Sequence, residues 1–172
     1  MLTASGVSST IIGHSERRAL GESDEAIAQA LLKATEAGLR TVLCIGEKER
    51  DQQGVHFGFL EQQLQSALAA FPKASAKNLV IAYEPVWAIG KSAQDALKPT
   101  DLREMGIFIR KILTEILGRT EAMKVLILYG GSVETDNARA LMSEGDVNGL
   151  LIGRSSTNID SFLEILKAVS KK

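Results

Sequence analysis

The run Tyr83-Glu84-Pro85-Val86-Trp87 places a carboxylate directly after the apolar stretch 79–82. A carboxylate at the end of a buried strand is costly unless it has a partner or a chemical task. Pro85 stiffens the turn and Trp87 supplies an apolar wall, which is how a partly desolvated general base is built. The plainer reading is a capping or ion-paired glutamate beside a surface turn. A second candidate lies in Ile11-Ile12-Gly13-His14-Ser15-Glu16-Arg17-Arg18. An imidazole leaving a buried strand for a helix N-terminus meets the positive end of the helix dipole, which favours the neutral, hydrogen-bond-donating ring. A satisfied structural histidine is the alternative there. The other histidine, His56, opens a helix on a polar stretch and reads as a surface residue.

Two segments are suited to an anion. Tyr129-Gly130-Gly131-Ser132 and Gly153-Arg154-Ser155-Ser156 each follow an apolar run. Glycines let the main chain approach a ligand closely, and exposed amides can cradle phosphate oxygens. Ser132 adds a hydroxyl and Arg154 a charge. One such turn would be an ordinary Gly-rich loop; two after successive strands point to phosphate. Neither matches the P-loop or the dinucleotide fingerprint.

The elements that must position these residues alternate along the chain. Strands are expected at 10–12, 40–45, 79–83, 124–129 and 149–152, apolar and nearly continuous, as in parallel strands covered on both faces. Helices are expected between them. The first runs over 24–37, capped by Ser23 and stopped at Gly38. Others cover 55–70, a stretch capped by Thr100 or Asp101 and running to 117 with Gly118 beyond it, 135–142, and 159–170. Strand then helix, five times over, predicts crossover units and a parallel sheet in a single α/β domain spanning 1–172. His14, Glu47, Glu84, Ser132 and Gly153 all fall just after a strand. The carboxyl ends of parallel strands are where ligands bind, so these residues should converge on one site.

Composition narrows the function classes. The chain has 172 residues, 45% of them hydrophobic, with a formal net charge of −1. That balance argues against nucleic acid or an anionic membrane as the main partner. Aromatic residues make up 5%, too few for a base-stacking surface. The one cysteine, Cys44, sits in an apolar run and reads as a buried inert thiol. It fits a reducing compartment. No stretch is long enough to span a bilayer, and the N-terminus lacks the pattern of a signal peptide, so a cytoplasmic protein is expected.

The motifs together resemble those of the triosephosphate isomerase family. They are Ile12-Gly13-His14-Ser15-Glu16-Arg17-Arg18, Leu43-Cys44-Ile45-Gly46-Glu47, Ala82-Tyr83-Glu84-Pro85-Val86-Trp87-Ala88-Ile89-Gly90, Tyr129-Gly130-Gly131-Ser132-Val133 and Gly149-Leu150-Leu151-Ile152-Gly153. They occur in the family's order and cover nearly the whole chain. The resemblance implies interconversion of dihydroxyacetone phosphate and glyceraldehyde 3-phosphate, a small phosphorylated triose substrate, with no metal or organic cofactor. It makes Glu84 the base, His14 the neutral electrophile and Glu16 a residue that orients the site. Pro85, Val86, Trp87, Ala88, Ile89, Gly90 and Lys91, as far as Ser92, correspond to a lid that excludes water. Gly90, Ser132, Gly153 and Arg154 would hold the phosphate.

Members of the family are barrels of eight strand–helix units, typically about 250 residues long. The match here begins in the helix before the fourth strand, so a pared-down (βα) barrel of five parallel strands is expected. The family's lysine and asparagine after the first strand have no counterpart, and neither does its usual dimerisation loop. Arg154, where the family has a second glycine, or Lys91 could supply the charge. The lid lacks a Thr-Gly pair after Gly90 and carries extra residues at about 94–98. Five strands arranged as in the family leave two open edges, which invite pairing. Self-association that covers those edges is the favoured outcome. Closure into a smaller barrel, or a separate N-terminal piece, are the alternatives. Three functions compete: an active isomerase, a phosphate-binding or assembly module without turnover, and half of a split barrel that works only with a partner segment.

Overall fold

The computed structural model describes residues 3–51, 53–91 and 96–170. Five strands form one parallel sheet: β1 (Ser9–Ile12), β2 (Arg40–Ile45), β3 (Leu79–Tyr83), β4 (Leu126–Tyr129) and β5 (Gly149–Leu150). Their spatial order is their chain order. Helices α1 (Ser15–Ala19) and α2 (Asp24–Glu36) follow β1, α3 (Val55–Leu68) follows β2, and α4 (Pro99–Leu117) with α5 (Arg119–Ala122) follow β3. Helices α6 (Thr135–Glu144) and α7 (Ile159–Ser170) follow β4 and β5. This is the α/β architecture of a TIM-type barrel, with its sheet open: β1 and β5 are the outer strands. The smaller closed barrel is therefore excluded. Among the described residues no helix is long and apolar enough to cross a membrane.

Local rules account for the element ends. Ser23 caps α2, its hydroxyl accepting from the Ala26 amide at 3.2 Å, with Asp24 and Glu25 in the first turn. Lys98, not the expected Thr100 or Asp101, is the N-cap of helix α4, because Pro99 suits the first helical position. Gly118, at φ 86°, ends it. Strands β4 and β5 are shorter than their apolar runs, and α3 stops at Leu68 rather than residue 70. The short α1 and α5, and the 3₁₀ turns Thr3–Ser5, Lys73–Asn78, Val86–Ala88 and Arg154–Thr157, were not anticipated from periodicity.

The sheet register sorts the core. Ile12, Leu43, Ile81 and Ile127 are aligned across four strands and join the helices in one buried cluster. Ile45, Tyr83 and Tyr129 repeat the pattern one layer nearer the carboxyl ends. The opposite face carries Ile11, Val42, Val80 and Leu126 in register. There Val80 is 5% exposed while Ile11 is 50% and Leu126 38% exposed. One face of the sheet is thus covered by helices, and the other is open towards its edges.

Candidate active site

Glu84 stands one residue past β3 and is 2% exposed. Its amide donates to the Ile45 carbonyl at 2.7 Å, so the β2–β3 ladder extends beyond the strand and holds the backbone. The carboxylate accepts the Ser15 amide on Oε2 at 3.0 Å. Its Oε1 lies 3.2 Å from Nε2 of His14. Burial raises the Glu84 pKa, and the Ser15 hydrogen bond and the nearby imidazole pull in the opposite direction. A more basic carboxylate is a better acceptor for a carbon-bound proton.

Two glycines make room for this side chain. A Cβ on Gly46 would fall 1.7 Å from the Glu84 carbonyl oxygen, and one on Gly130 would fall 2.9 Å from its Cγ. Gly46 is itself pinned, its amide donating to the buried Gln63 side chain of α3 at 2.9 Å. The glycines in Ile45-Gly46-Glu47 and Tyr129-Gly130-Gly131 are therefore spacers that let neighbouring strand ends close around one carboxylate.

His14 caps α1, and its Nδ1 accepts the Glu16 amide at 3.3 Å. A nitrogen that accepts carries no hydrogen, so the ring hydrogen sits on Nε2 and points at Glu84. Arg18 clamps this turn. Its guanidinium donates to the Gly13 carbonyl at 2.9 Å and the Cys44 carbonyl at 3.3 Å, and meets Asp24 at 2.7 Å. One side chain thus ties the ends of β1 and β2 to α2. Cys44 is fully buried, and burial, with Glu84 close by, pushes its thiol pKa up, so it stays protonated.

A second buried carboxylate anchors the segment after Glu84. Glu47 is 2% exposed, and its Oε1 accepts the Tyr83 hydroxyl at 2.9 Å and the Trp87 indole N–H at 2.7 Å. The Val86 amide donates to the Glu47 carbonyl at 2.9 Å. Burial and the Glu47 charge drive the Tyr83 pKa well upward, so the phenol remains a donor. The Ser132 hydroxyl donates to the Ala88 carbonyl at 2.8 Å and fastens the segment's far side. Pro85 and Ala88 are buried, Val86 and Trp87 half-buried, and Ile89, Gly90 and Lys91 exposed. Ser92 lies outside the described residues, as do 94 and 95 of the expected lid insertion.

These parts surround a cavity of about 410 Å³ lined by His14, Glu84, Gly90, Ser132, Gly153 and Arg154 among others. That volume lies in the range of small-molecule sites. Glu16 also lines it, but the contact with His14 comes from its backbone amide, and its side chain is exposed. Arg154 is exposed at the rim. Lys91 is not among the lining residues. An imidazole donor and a buried carboxylate therefore face one cavity whose far side is a pair of glycine-rich loops. Such a pair can polarise a carbonyl and move a proton on the adjacent carbon.

Sequence reasoning misplaced one residue and underused three. His56 is 6% exposed, not on the surface. Its ring packs on Phe57 with centroids 4.2 Å apart, and its amide and Nδ1 meet Asp51 at 3.1 and 3.4 Å. The helix turns it inward, where Asp51 meets its amide and Nδ1 while Nε2 is buried without a hydrogen-bond partner among the described residues. The Val55 amide also donates to Asp51, at 3.0 Å, and this bond, with those from His56, holds the Asp51 carboxyl down at about 2. The roles of Ser15 and Arg18 were invisible because they depend on contacts with distant strands. Glu47 was noticed only by position, although a glutamate ending so apolar a strand signals a buried network.

The fold and the site define a parallel (βα) protein with an acid–base cavity at the carboxyl ends of its strands. The family model described as triosephosphate isomerase matches residues 1–169. The triosephosphate isomerase of Flavobacterium johnsoniae is 42% identical over 171 residues, which is 98% of this chain and 68% of that protein. That of Carboxydothermus hydrogenoformans is 43% identical over 169 residues, 97% of this chain and 66% of the relative. The chain belongs to the triosephosphate isomerase family. It spans about two thirds of the length of these relatives.

Proposed function

We propose that this chain interconverts dihydroxyacetone phosphate and glyceraldehyde 3-phosphate, with Glu84 as base and His14 as electrophile. The 3.2 Å approach of His14 Nε2 to Glu84 Oε1 inside the cavity carries the reading. In the unliganded protein each group occupies the other. A three-carbon substrate enters between them: its carbonyl oxygen takes the Nε2–H, and the freed carboxylate takes a proton from the neighbouring carbon. The electrons left on carbon form an enediolate; the hydroxyl proton of the deprotonated carbon passes by way of His14 to the former carbonyl oxygen, and Glu84 returns its own proton to the former carbonyl carbon. This division of labour is the one long known for the family. The amides of the loops at Gly90, Ser132 and Gly153 hold the phosphate, and the segment from Pro85 to Lys91 closes over it. No metal or organic cofactor takes part. Cys44, buried and reduced, suits the cytoplasm.

A second reading rests on the open sheet. Strands β1 and β5 each have one unpaired side, beside the strand ends that carry His14 and Gly153. Full turnover then needs those edges covered, by a second copy of the chain or by a segment bearing a cation after a strand. A coupled isomerase assay on the purified chain, with its mass measured in the same buffer and an N-terminal fragment of a relative titrated in, separates the readings. Turnover by the chain alone, lost in Glu84→Gln, supports the first, and turnover only on adding the fragment supports the second. Phosphoglycolate binding with no turnover under either condition removes the isomerase assignment and leaves a binding module. A monodisperse monomer with a cooperative melt refutes self-association.

A further inference from the structure

The charge around the cavity is unbalanced for the ligand proposed. Among the described residues its lining carries three carboxylates, Glu16, Glu84 and Glu134, and a single guanidinium, Arg154. A phosphate monoester carries about −1.5 to −2 charges near neutral pH. Main-chain amides contribute only partial charges, so a ligand of that kind meets net repulsion unless Arg154 turns to it.

The geometry leaves Arg154 free to turn. Its side chain is 77% exposed, and its nearest anionic partner is Glu134, with NH2 3.6 Å from Oε1. That distance is beyond a good hydrogen bond, and exposed pairs of this kind are weak. Glu134 is also committed elsewhere: as the cap of α6 its carboxylate accepts the Asn137 amide, while the Asn137 side chain accepts the Glu134 amide at 2.8 Å. Glu134 therefore keeps a partner when Arg154 leaves. A guanidinium can grip two phosphoryl oxygens at once, a geometry that a loose carboxylate contact does not provide.

We propose that Arg154 is the phosphate-selecting side chain of this cavity: it exchanges Glu134 for the ligand's phosphoryl group and restricts the site to dianionic phosphate esters. This rests on the phosphate-ester reading above. It makes the loop after β5, with a side chain and not only its amides, the source of positive charge in the site.

The test is calorimetric titration of phosphoglycolate and of inorganic phosphate into the wild type, R154A, R154K and E134Q, with each melting temperature recorded. Wild-type binding is expected to weaken at least tenfold in R154A at an unchanged melting temperature, and to recover in part in R154K. It should tighten severalfold in E134Q, where the competing charge is gone and the amide oxygen still caps α6. The salt dependence of binding should flatten in R154A. Wild-type binding that R154A matches within twofold overturns the role of Arg154 and leaves the phosphate-ester reading standing. Wild type that binds neither anion overturns both.

Discussion

The middle of the sheet and its two edges are built differently, and the cavity draws on both. Strand β3 is buried along its whole length, and β2 is buried from Leu43 to its end. From these strands come Glu84 and Glu47, each held by hydrogen bonds from two sides. Strand β1 is mostly exposed and β5 has two residues, yet they lead into His14 and into Gly153 and Arg154. The buried carboxylate Glu84 is thus set by the rigid interior, while the imidazole and the guanidinium proposed to meet the ligand hang from unpaired edges. Placement of a buried carboxylate needs the surrounding shell; placement of an imidazole or a guanidinium needs only a clamp such as Arg18 or a weak tether such as Glu134.

The sharpest break of that contrast is chemical. Glu84→Gln should lower turnover roughly 10²- to 10⁴-fold in the coupled assay, the usual share of a positioned general base. A loss under tenfold would move the base elsewhere. The largest structural break is Gly46→Ala. The new Cβ would fall 1.7 Å from the Glu84 carbonyl, so backbone must shift at a cost of about 1–3 kcal/mol. Denaturant midpoints for Gly46→Ala and for Gly153→Ala, whose Cβ meets nothing within 4 Å, should separate interior from edge.

A pH series sharpens the same contrast. Burial raises the Glu84 pKa above its unfolded value. Folding therefore favours the protonated form: this contribution is fully present below the ordinary carboxylate range and is lost as pH rises through the raised value. Glu84→Gln has no such loss. Its melting temperature relative to wild type should climb as pH rises out of the ordinary carboxylate range and through the raised value, by a few degrees for each kcal/mol involved. A difference that is flat with pH would mean that the carboxylate is not desolvated in solution. The smallest effect is expected for Trp87→Phe. It removes the indole donor to Glu47 but leaves the Tyr83 hydroxyl, so stability should fall by about 1 kcal/mol in thermal melts.

Much of this was legible before any coordinates. The five strand–helix units could be read from apolar runs broken by caps such as Ser23 and stops such as Gly118, because helix ends obey local rules. The cavity's address could be read from His14, Glu84, Ser132 and Gly153, each falling after a strand; Glu47, expected there too, does not line the cavity and instead binds Tyr83 and Trp87. The fate of His56 could not, since a helix start on a polar stretch says nothing about which way the ring turns. The extents of β4 and β5 were also illegible, because ladder length depends on how far the neighbouring strand runs alongside.

The amino-acid sequence by itself determined the order of the elements, the chemistry available at each strand end and the family. Those follow from local patterning and from the residue types at the strand ends. Tertiary structure alone decided that His14 and Glu84 meet at 3.2 Å, that Ser15 lends its amide to Glu84, that Glu47 gathers Tyr83 and Trp87, and that β1 and β5 remain apart. Each of these joins residues far apart in the chain. Such contacts are set by sheet register, strand twist and the space that Gly46 and Gly130 leave, which no local stretch of sequence encodes.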